Sequence, residues 1–244
     1  ALLEAGADAN GWTSTGVTAL HFAAEADDAE ALRLLAGHGA DLDARDSFQG
    51  RTPLVFAASR DATAAVSTLL ELGADPSVTT ELKDYVARSE ADDDDRARRS
   101  RVIAAEKGEE PRGDPRFPPG VTPPGQEPDS TAADPDDEEE AEEEEEKEKE
   151  PPVRALSSDE QIGVQGGFTA LHYAARQGHM RTAKLLLDAG ADIDHLSGGD
   201  QSSPLLVAVI NGNYDLAKML MERGADPNLV SDDGAGPLFA TLNI

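Results

Sequence analysis

Apolar residues fall in short clusters along this chain, at two alternating settings that both read as helix. One cluster places Leu20, Ala23 and Ala24, and later Leu54, Ala57 and Ala58, at i, i+3 and i+4, the spacing of one helix face. The next carries larger side chains: Leu32, Leu34 and Leu35; Val66, Leu69 and Leu70; Leu185, Leu186 and Leu187; Leu216, Met219 and Leu220. Small alanines on the first helix let a neighbouring helix approach closely, and the leucines of the second supply apolar area. A Thr or Ser opens four of the five first helices, where its oxygen can cap an orphan backbone N–H. Pro53, Pro204 and Pro237 follow directly, where a missing N–H costs nothing. Gly178 and Gly212 break between the two helices, and a Gly-Ala-Asp closes the second with a residue suited to a left-handed C-cap. Each unit therefore reads as helix, turn, helix and return loop, and the chain as all-α.

The units are copies of one another. TALHFAA at 18–24, TPLVFAA at 52–58, TALHYAA at 169–175, SPLLVAV at 203–209 and GPLFATL at 236–242 are versions of one phrase. Thr18 to Thr52 is 34 residues, Thr169 to Ser203 is 34, and Ser203 to Gly236 is 33. Gly39, Gly73, Gly190 and Gly224 each open a Gly-Ala-Asp 21 residues after a phrase begins. Self-similarity at this period is the mark of a helical solenoid. A solenoid offers an extended surface rather than a catalytic pocket, which favours binding as the function.

On these residues the chain resembles an ankyrin repeat protein. The family pattern of Gly-x-Thr-Pro-Leu-His-x-Ala-Ala, a Gly-His turn, Leu-Leu-Leu and Gly-Ala-Asp-x-Asn is matched almost fully by 167–194, and the likeness covers about two thirds of the chain. Two departures stand out. Asp27 and Asp61 replace the inter-helix glycine, which predicts tighter or less regular turns there, and Val55, Leu206 and Phe239 replace the histidine. The resemblance implies hairpin-like loops whose tips, with the outward positions of the first helices, line a concave groove for a protein partner. Carried over residue by residue, the tips are 10–15, 45–49, 195–201 and 229–232, and the helix positions are Glu25, Ala26, Ser59, Arg60, Arg176, Gln177, Ile210 and Asn211. Aromatic residues and arginines dominate interface energetics, so Trp12 and Phe48 stand out on the tips, either as partner contacts or as packing against the next loop.

The chain opens on ALLEAGADAN, the closing half of a unit, and stops at Ile244 inside a first helix, so it reads as a fragment of a longer protein. Between Thr52 and Thr169 the step is 117 residues, one period of 33 plus an insertion of 84. The insertion, 83–164, holds 10 of the 15 prolines and 27 acidic against 12 basic residues. Residues 134–150 alone hold 13 acids. Such a run cannot bury apolar surface and repels itself, so disorder is expected. Its first part, with Tyr85, Val86, Val102 and Ile103, could form a transient or docked helix. Lengthening a connection of ~6 residues to ~84 costs only about 2–3 kcal/mol of closure entropy. Burying one stacking face returns several kcal/mol at ~25 cal/mol per Å². The expectation is therefore three segments: repeats at 1–82, a Pro/Glu-rich acidic insertion at 83–164, and repeats at 165–244 stacked on the first set as one array.

Composition narrows the chemistry. The formal net charge of −28 repels nucleic acid and anionic membranes. Arg96, Arg98, Arg99 and Arg101 make one basic cluster, neutralised by the neighbouring acids at 92–95. Cysteine is absent, which removes disulfides and thiolate chemistry and carries no information on compartment. Of the five histidines, His21, His172 and His179 fall in structural slots of the family, and no pair with His38 or His195 has metal-ligand spacing. No nucleophile motif appears. The glycines at 166–167 and 198–199 read as loop geometry, with phosphate binding as the lesser alternative. The acidic insertion reads as a solvated spacer, or else as a segment that pairs with a basic partner or gates the groove. The result is a monomeric, non-enzymatic interaction module with a protein partner and no cofactor, metal, nucleic acid or membrane ligand. The alternative is the regulatory or substrate-recruiting part of a larger enzyme.

Overall fold

A computed structural model of the chain describes residues 1–84 and 164–242, together with 87–88, 91–92, 95–96 and 98–99. The chain divides into two compact units, one formed by Ala1–Tyr85 and Ile162–Ile244, the other by Val86–Gln161. In the second, the described residues are helical, and Arg99 lies 4.0 Å from Asp95. The acidic run at 134–150, with the disorder expected of it, lies outside the described residues, as do Val102 and Ile103.

The first unit is a stack of helix pairs: α1 (Ala19–Glu25) with α2 (Ala29–Gly37), α3 (Pro53–Ser59) with α4 (Thr63–Leu72), α5 (Ala170–Gln177) with α6 (Met180–Asp188), and α7 (Pro204–Ile210) with α8 (Tyr214–Glu222). A last first-type helix, α9 (Pro237–Leu242), packs on α7. First helices contact first helices in the order α1, α3, α5, α7, α9, and α2, α4 and α6 do the same behind them. The core runs along the stack as columns of equivalent residues. Leu20, Leu54, Leu171 and Leu205 form one, and Ala24, Ala58 and Ala175 form a second where helices come closest; all are buried. Leu69, Leu186 and Leu220 fill the second-helix layer, whereas Leu34 points outward and is 53% exposed.

Thr52 and Ser203 cap α3 and α7 as their position suggests, accepting from the amides of Val55 (3.4 Å) and Leu206 (3.2 Å). The turns at Asp27 and Asp61 are as regular as their glycine counterparts, contrary to the sequence expectation. Their φ values of 57° and 55° lie in the same left-handed region as 76° at Gly178 and 74° at Gly212. Aspartate tolerates that region better than most residues, and here its carboxylate is used. Asp27 Oδ1 accepts from the Ala65 amide at the start of α4 (2.7 Å), one repeat further on. Asp61 Oδ1 accepts from Thr182 Oγ1 in α6 (2.8 Å). Around Gly178 the tie runs the other way: Asn213 Nδ2 donates to the carbonyls of Ala175 (2.9 Å) and Arg176 (3.0 Å). A Cβ on Gly178 would lie 2.6 Å from Asn213 Oδ1, so this glycine is needed for space as well as for its φ.

The insertion leaves and re-enters the stack at one place. β1 (Lys83–Asp84) pairs antiparallel with β2 (Val164–Gln165), Lys83 opposite Gln165. Below this ladder Thr80 is bonded twice to Phe168, its amide donating to the Phe168 carbonyl (2.9 Å) and its side-chain Oγ1 accepting from the Phe168 amide (3.0 Å). Across the same junction His179 Nδ1 donates to the Ala58 carbonyl (2.9 Å), and α3 packs on α5.

The Asp27 tie makes a measurable prediction. Asp27→Gly keeps the turn and loses only the cap, so it should cost about 1 kcal/mol in urea unfolding. Asp27→Ala adds left-handed strain and should cost about 2 kcal/mol. A neutral Asp27→Gly would show that the cross-repeat cap contributes nothing.

Candidate partner-binding surface

The return loops that carry the tips are fixed from inside. Asp46, almost fully buried, accepts from the amides of Gln49 (3.1 Å) and Arg51 (2.8 Å) through Oδ1 and from the Arg51 guanidinium through Oδ2 (2.9 and 2.7 Å). Burial alone would raise its pKa, and these hydrogen bonds together hold it below the ordinary carboxylate value. Asp200 repeats the device two loops further along, accepting from Ser197 Oγ (2.5 Å), Ser202 Oγ (2.8 Å) and the Ser202 amide (3.2 Å).

His21 and His172 lock each loop to the helix beneath it. The Thr18 amide donates to His21 Nδ1 (3.1 Å), so that nitrogen carries no proton, and Nε2–H donates to the Arg51 carbonyl (3.0 Å). His172 is held alike, taking the Thr169 amide at Nδ1 (3.2 Å) and giving Nε2–H to the Ser202 carbonyl (3.0 Å). Burial pushes the His172 pKa down to about 4, against an opposing pull from the Ser202 carbonyl. Burial lowers His21 in the same direction. These rings are committed to the neutral form and to structure.

On this frame the residues expected at the surface divide into two groups. Trp12 is 74% exposed and joins its loop only by a backbone bridge to Thr18, and Phe48 is 62% exposed. Arg176, Gln177, Ile210 and Asn211 are also exposed, with Asn211 Nδ2 donating back to the Val207 carbonyl (2.8 Å). The others are engaged within the protein. Glu25 and Arg60 pair across adjacent repeats, Arg60 Nη2 to Glu25 Oε1 at 2.6 Å, and half-buried Ser59 donates to the Phe56 carbonyl (2.8 Å).

One feature escapes position-by-position reading of the sequence. The fifth residue of the repeated phrase is Phe22, Phe56, Tyr173 and then Val207, which sets three aromatic rings at equivalent places on successive first helices. Phe22 is 55% exposed; Phe56 and Tyr173 are half-buried. The signal was present in the aligned phrases, where three of five copies are aromatic at that point. Cations lie over these rings: the Arg51 guanidinium is 4.6 Å from the Phe56 centroid and 5.8 Å from Phe48, Lys83 Nζ is 4.8 Å from Phe48, and Arg176 is 6.0 Å from Tyr173.

The glycines weighed as a phosphate loop are filled by neighbours. A Cβ on Gly167 would lie 2.3 Å from the Gly198 amide nitrogen, and one on Gly198 would lie 2.6 Å from Leu82 Cδ2, so close chain approach accounts for both. Among the described residues no His, Asp and Glu cluster could hold a metal ion, and no helix is long and apolar enough to cross a membrane.

The family model described as ankyrin repeats (3 copies) matches residues 1–80 and 147–231. The chain belongs to the ankyrin repeat family, a protein-interaction fold. It is 35% identical over 84 residues to the B-cell lymphoma 3 protein homolog of Mus musculus, covering 34% of this chain and 19% of that protein. It is 39% identical over 71 residues to protein phosphatase 1 regulatory subunit 27 of Mus musculus, covering 29% and 46%. It is 39% identical over 66 residues to the ankyrin repeat and KH domain-containing protein mask-1 of Caenorhabditis elegans, covering 27% and 2%. The chain thus spans less than half the length of each of these relatives.

The histidine locks predict acid lability. The folded chain holds His172 neutral down to about pH 4, whereas the unfolded chain protonates it near its ordinary 6.5. The stabilising contribution is therefore complete above pH 6.5 and lost as pH falls toward 4, on the order of 3 kcal/mol for this one ring. Replacement by leucine, the residue of the same slot at Leu206, should lower stability at neutral pH and flatten this slope. Urea titrations of both proteins at about pH 7.5 and about pH 4.5 check it, and an unchanged slope in His172→Leu would refute the assignment.

Proposed function

We propose that this chain is a non-enzymatic, monomeric module that binds a protein partner through its first-helix face and loop tips, without a cofactor. One observation carries the reading: Trp12, Phe22 and Phe48 are more than half exposed, with Phe48 on a loop whose polar groups are locked by buried Asp46 and His21. Aromatic side chains held out on a rigid support are the anchors that interfaces use, since little entropy is lost on contact. Arg176, Gln177, Ile210 and Asn211 extend the surface along the stack. Glu25, Arg60 and Ser59 complete it, because an exposed ion pair is worth only about 0–1 kcal/mol and a partner rearranges it cheaply.

In this reading 1–82 and 165–244 work as one continuous array, supported by the His179 and Thr182 bonds across the junction, and 83–164 is a looped-out spacer. The net charge of −28 disfavours nucleic acid and anionic membranes as ligands. A second reading, part of a larger enzyme in a regulatory or substrate-recruiting role, draws on the likeness to a phosphatase regulatory subunit. A catalytic motif in the reading frame before Ala1 or after Ile244 would favour it.

Trp12→Ala and Phe48→Ala should each reduce partner recovery in pull-downs by about 10-fold or more with an unchanged melting temperature. Leu34→Ala, exposed on the outer helix, should leave recovery intact. Equal recovery by all three variants would remove the binding role from this face.

A further inference from the structure

Where the insertion joins the stack, Lys83 of β1 and Arg176 of α5 face the first-helix side, and among the described residues neither forms an ion pair. The ladder of β1 and β2 walls an open pocket of about 70 Å³, several times what one water needs, lined among others by Glu81, Lys83, Phe168, Tyr173 and Arg176. Lys83 Nζ donates to the Phe48 carbonyl and sits over that ring. Arg176 lies over the Tyr173 ring, and among the described residues its guanidinium has no carboxylate partner. Arg51, close by, is neutralised by Asp46, and Glu81 lies against Gly50, where a Cβ would meet its Cγ at 2.5 Å. Two cations, one carboxylate and three exposed or half-buried rings therefore share a few ångströms of surface.

We propose that this pocket takes the acidic side chain of an extended partner peptide, with a neighbouring apolar residue of that peptide laid on Phe48 and Phe168. The inference rests on the binding role of this face and adds the chemistry of the partner. Charge complementarity is the argument: Lys83 and Arg176 are held at the rim by their rings, and an arriving carboxylate meets two cations that, among the described residues, have no carboxylate partner, Lys83 keeping two of its three N–H groups beyond the bond to the Phe48 carbonyl. The chain's overall charge of −28 opposes approach at long range. At physiological ionic strength that field is screened beyond about 8 Å, so the local cations decide binding at contact. A basic peptide, which the overall charge would attract, meets like charge here.

Random linear peptides displayed on phage, selected against the whole chain, give the probe. Selected sequences should pair Asp or Glu with an adjacent Phe, Trp or Leu. A synthetic copy with its acids changed to Gln or Asn should bind about 10-fold or more weakly. The Lys83→Gln, Arg176→Gln double variant should lose the same factor for the acidic peptide and none for its amide copy, with an unchanged melting temperature. Selection of basic or uncharged peptides, no selection at all, or indifference to the double variant would each overturn the inference. Trp12→Ala, Phe22→Ser and Phe48→Ala separate this from failure of the binding role. Uncharged peptides that any of those variants releases would overturn only the charge assignment, whereas peptides indifferent to all three and to the double variant would remove the face itself.

Discussion

A first helix of seven residues leaves more backbone groups unpaired than it can satisfy internally, up to four amides at one end and four carbonyls at the other. Isolated helices of this length do not hold in water. Every other property of this chain depends on how neighbouring repeats supply what one repeat lacks. Leucine columns bury the apolar face, alanine columns let the helices close up, and the remaining polar ends are tied from the next repeat. Asp27 caps α4, Asn213 closes the end of α5, and His21 and His172 pin the following loop. Stability in such a stack is a sum of neighbour terms, so each tie counts where it is made.

The same bookkeeping of polar groups runs along the hairpin side. Asn10, Asp43 and Asp194 accept from the amides of Asp41, Asp75 and Asp226 in the next repeat (2.7, 3.2 and 2.9 Å). At the junction carrying the insertion, Ser77 occupies this position and turns its hydroxyl back to Asp75 instead (2.7 Å). That rung is replaced by others: His179 to Ala58, Thr182 to Asp61, and the short ladder of Lys83 with Gln165. The long connection costs little entropy relative to a short one, which is why a stack can carry it at a loop while keeping its helix contacts.

Much of this was legible in the sequence, and what was not has a common cause. Within one repeat, the Thr or Ser caps, the C-terminal glycines, the buried Leu and Ala positions and the structural histidines follow from spacing alone. Across repeats the sequence is silent about partners. Asp27 looked like a defect because its acceptor role involves Ala65, 38 residues away, and the Glu25–Arg60 pair joins residues 35 apart. The aromatic row of Phe22, Phe56 and Tyr173 was in view in the aligned phrases, but apolar residues beside a buried stripe read as core. The structure leaves Phe22 55% exposed and Phe56 and Tyr173 half-buried, so that position is surface rather than core.

The charge of the chain and the charge of its candidate surface have opposite signs, and the rings explain how that is maintained. Arg51, Lys83 and Arg176 lie on aromatic rings, which stabilise a cation without neutralising it. Arg51 is also matched by Asp46, a pair that shapes the loop rather than the surface, and Arg60 pairs with Glu25 across repeats. Lys83 and Arg176 keep their charge beside exposed apolar area. In the proposed binding mode a partner is selected by local contact, against the long-range field, and the two can be separated because the field is screened by salt and the contact is not.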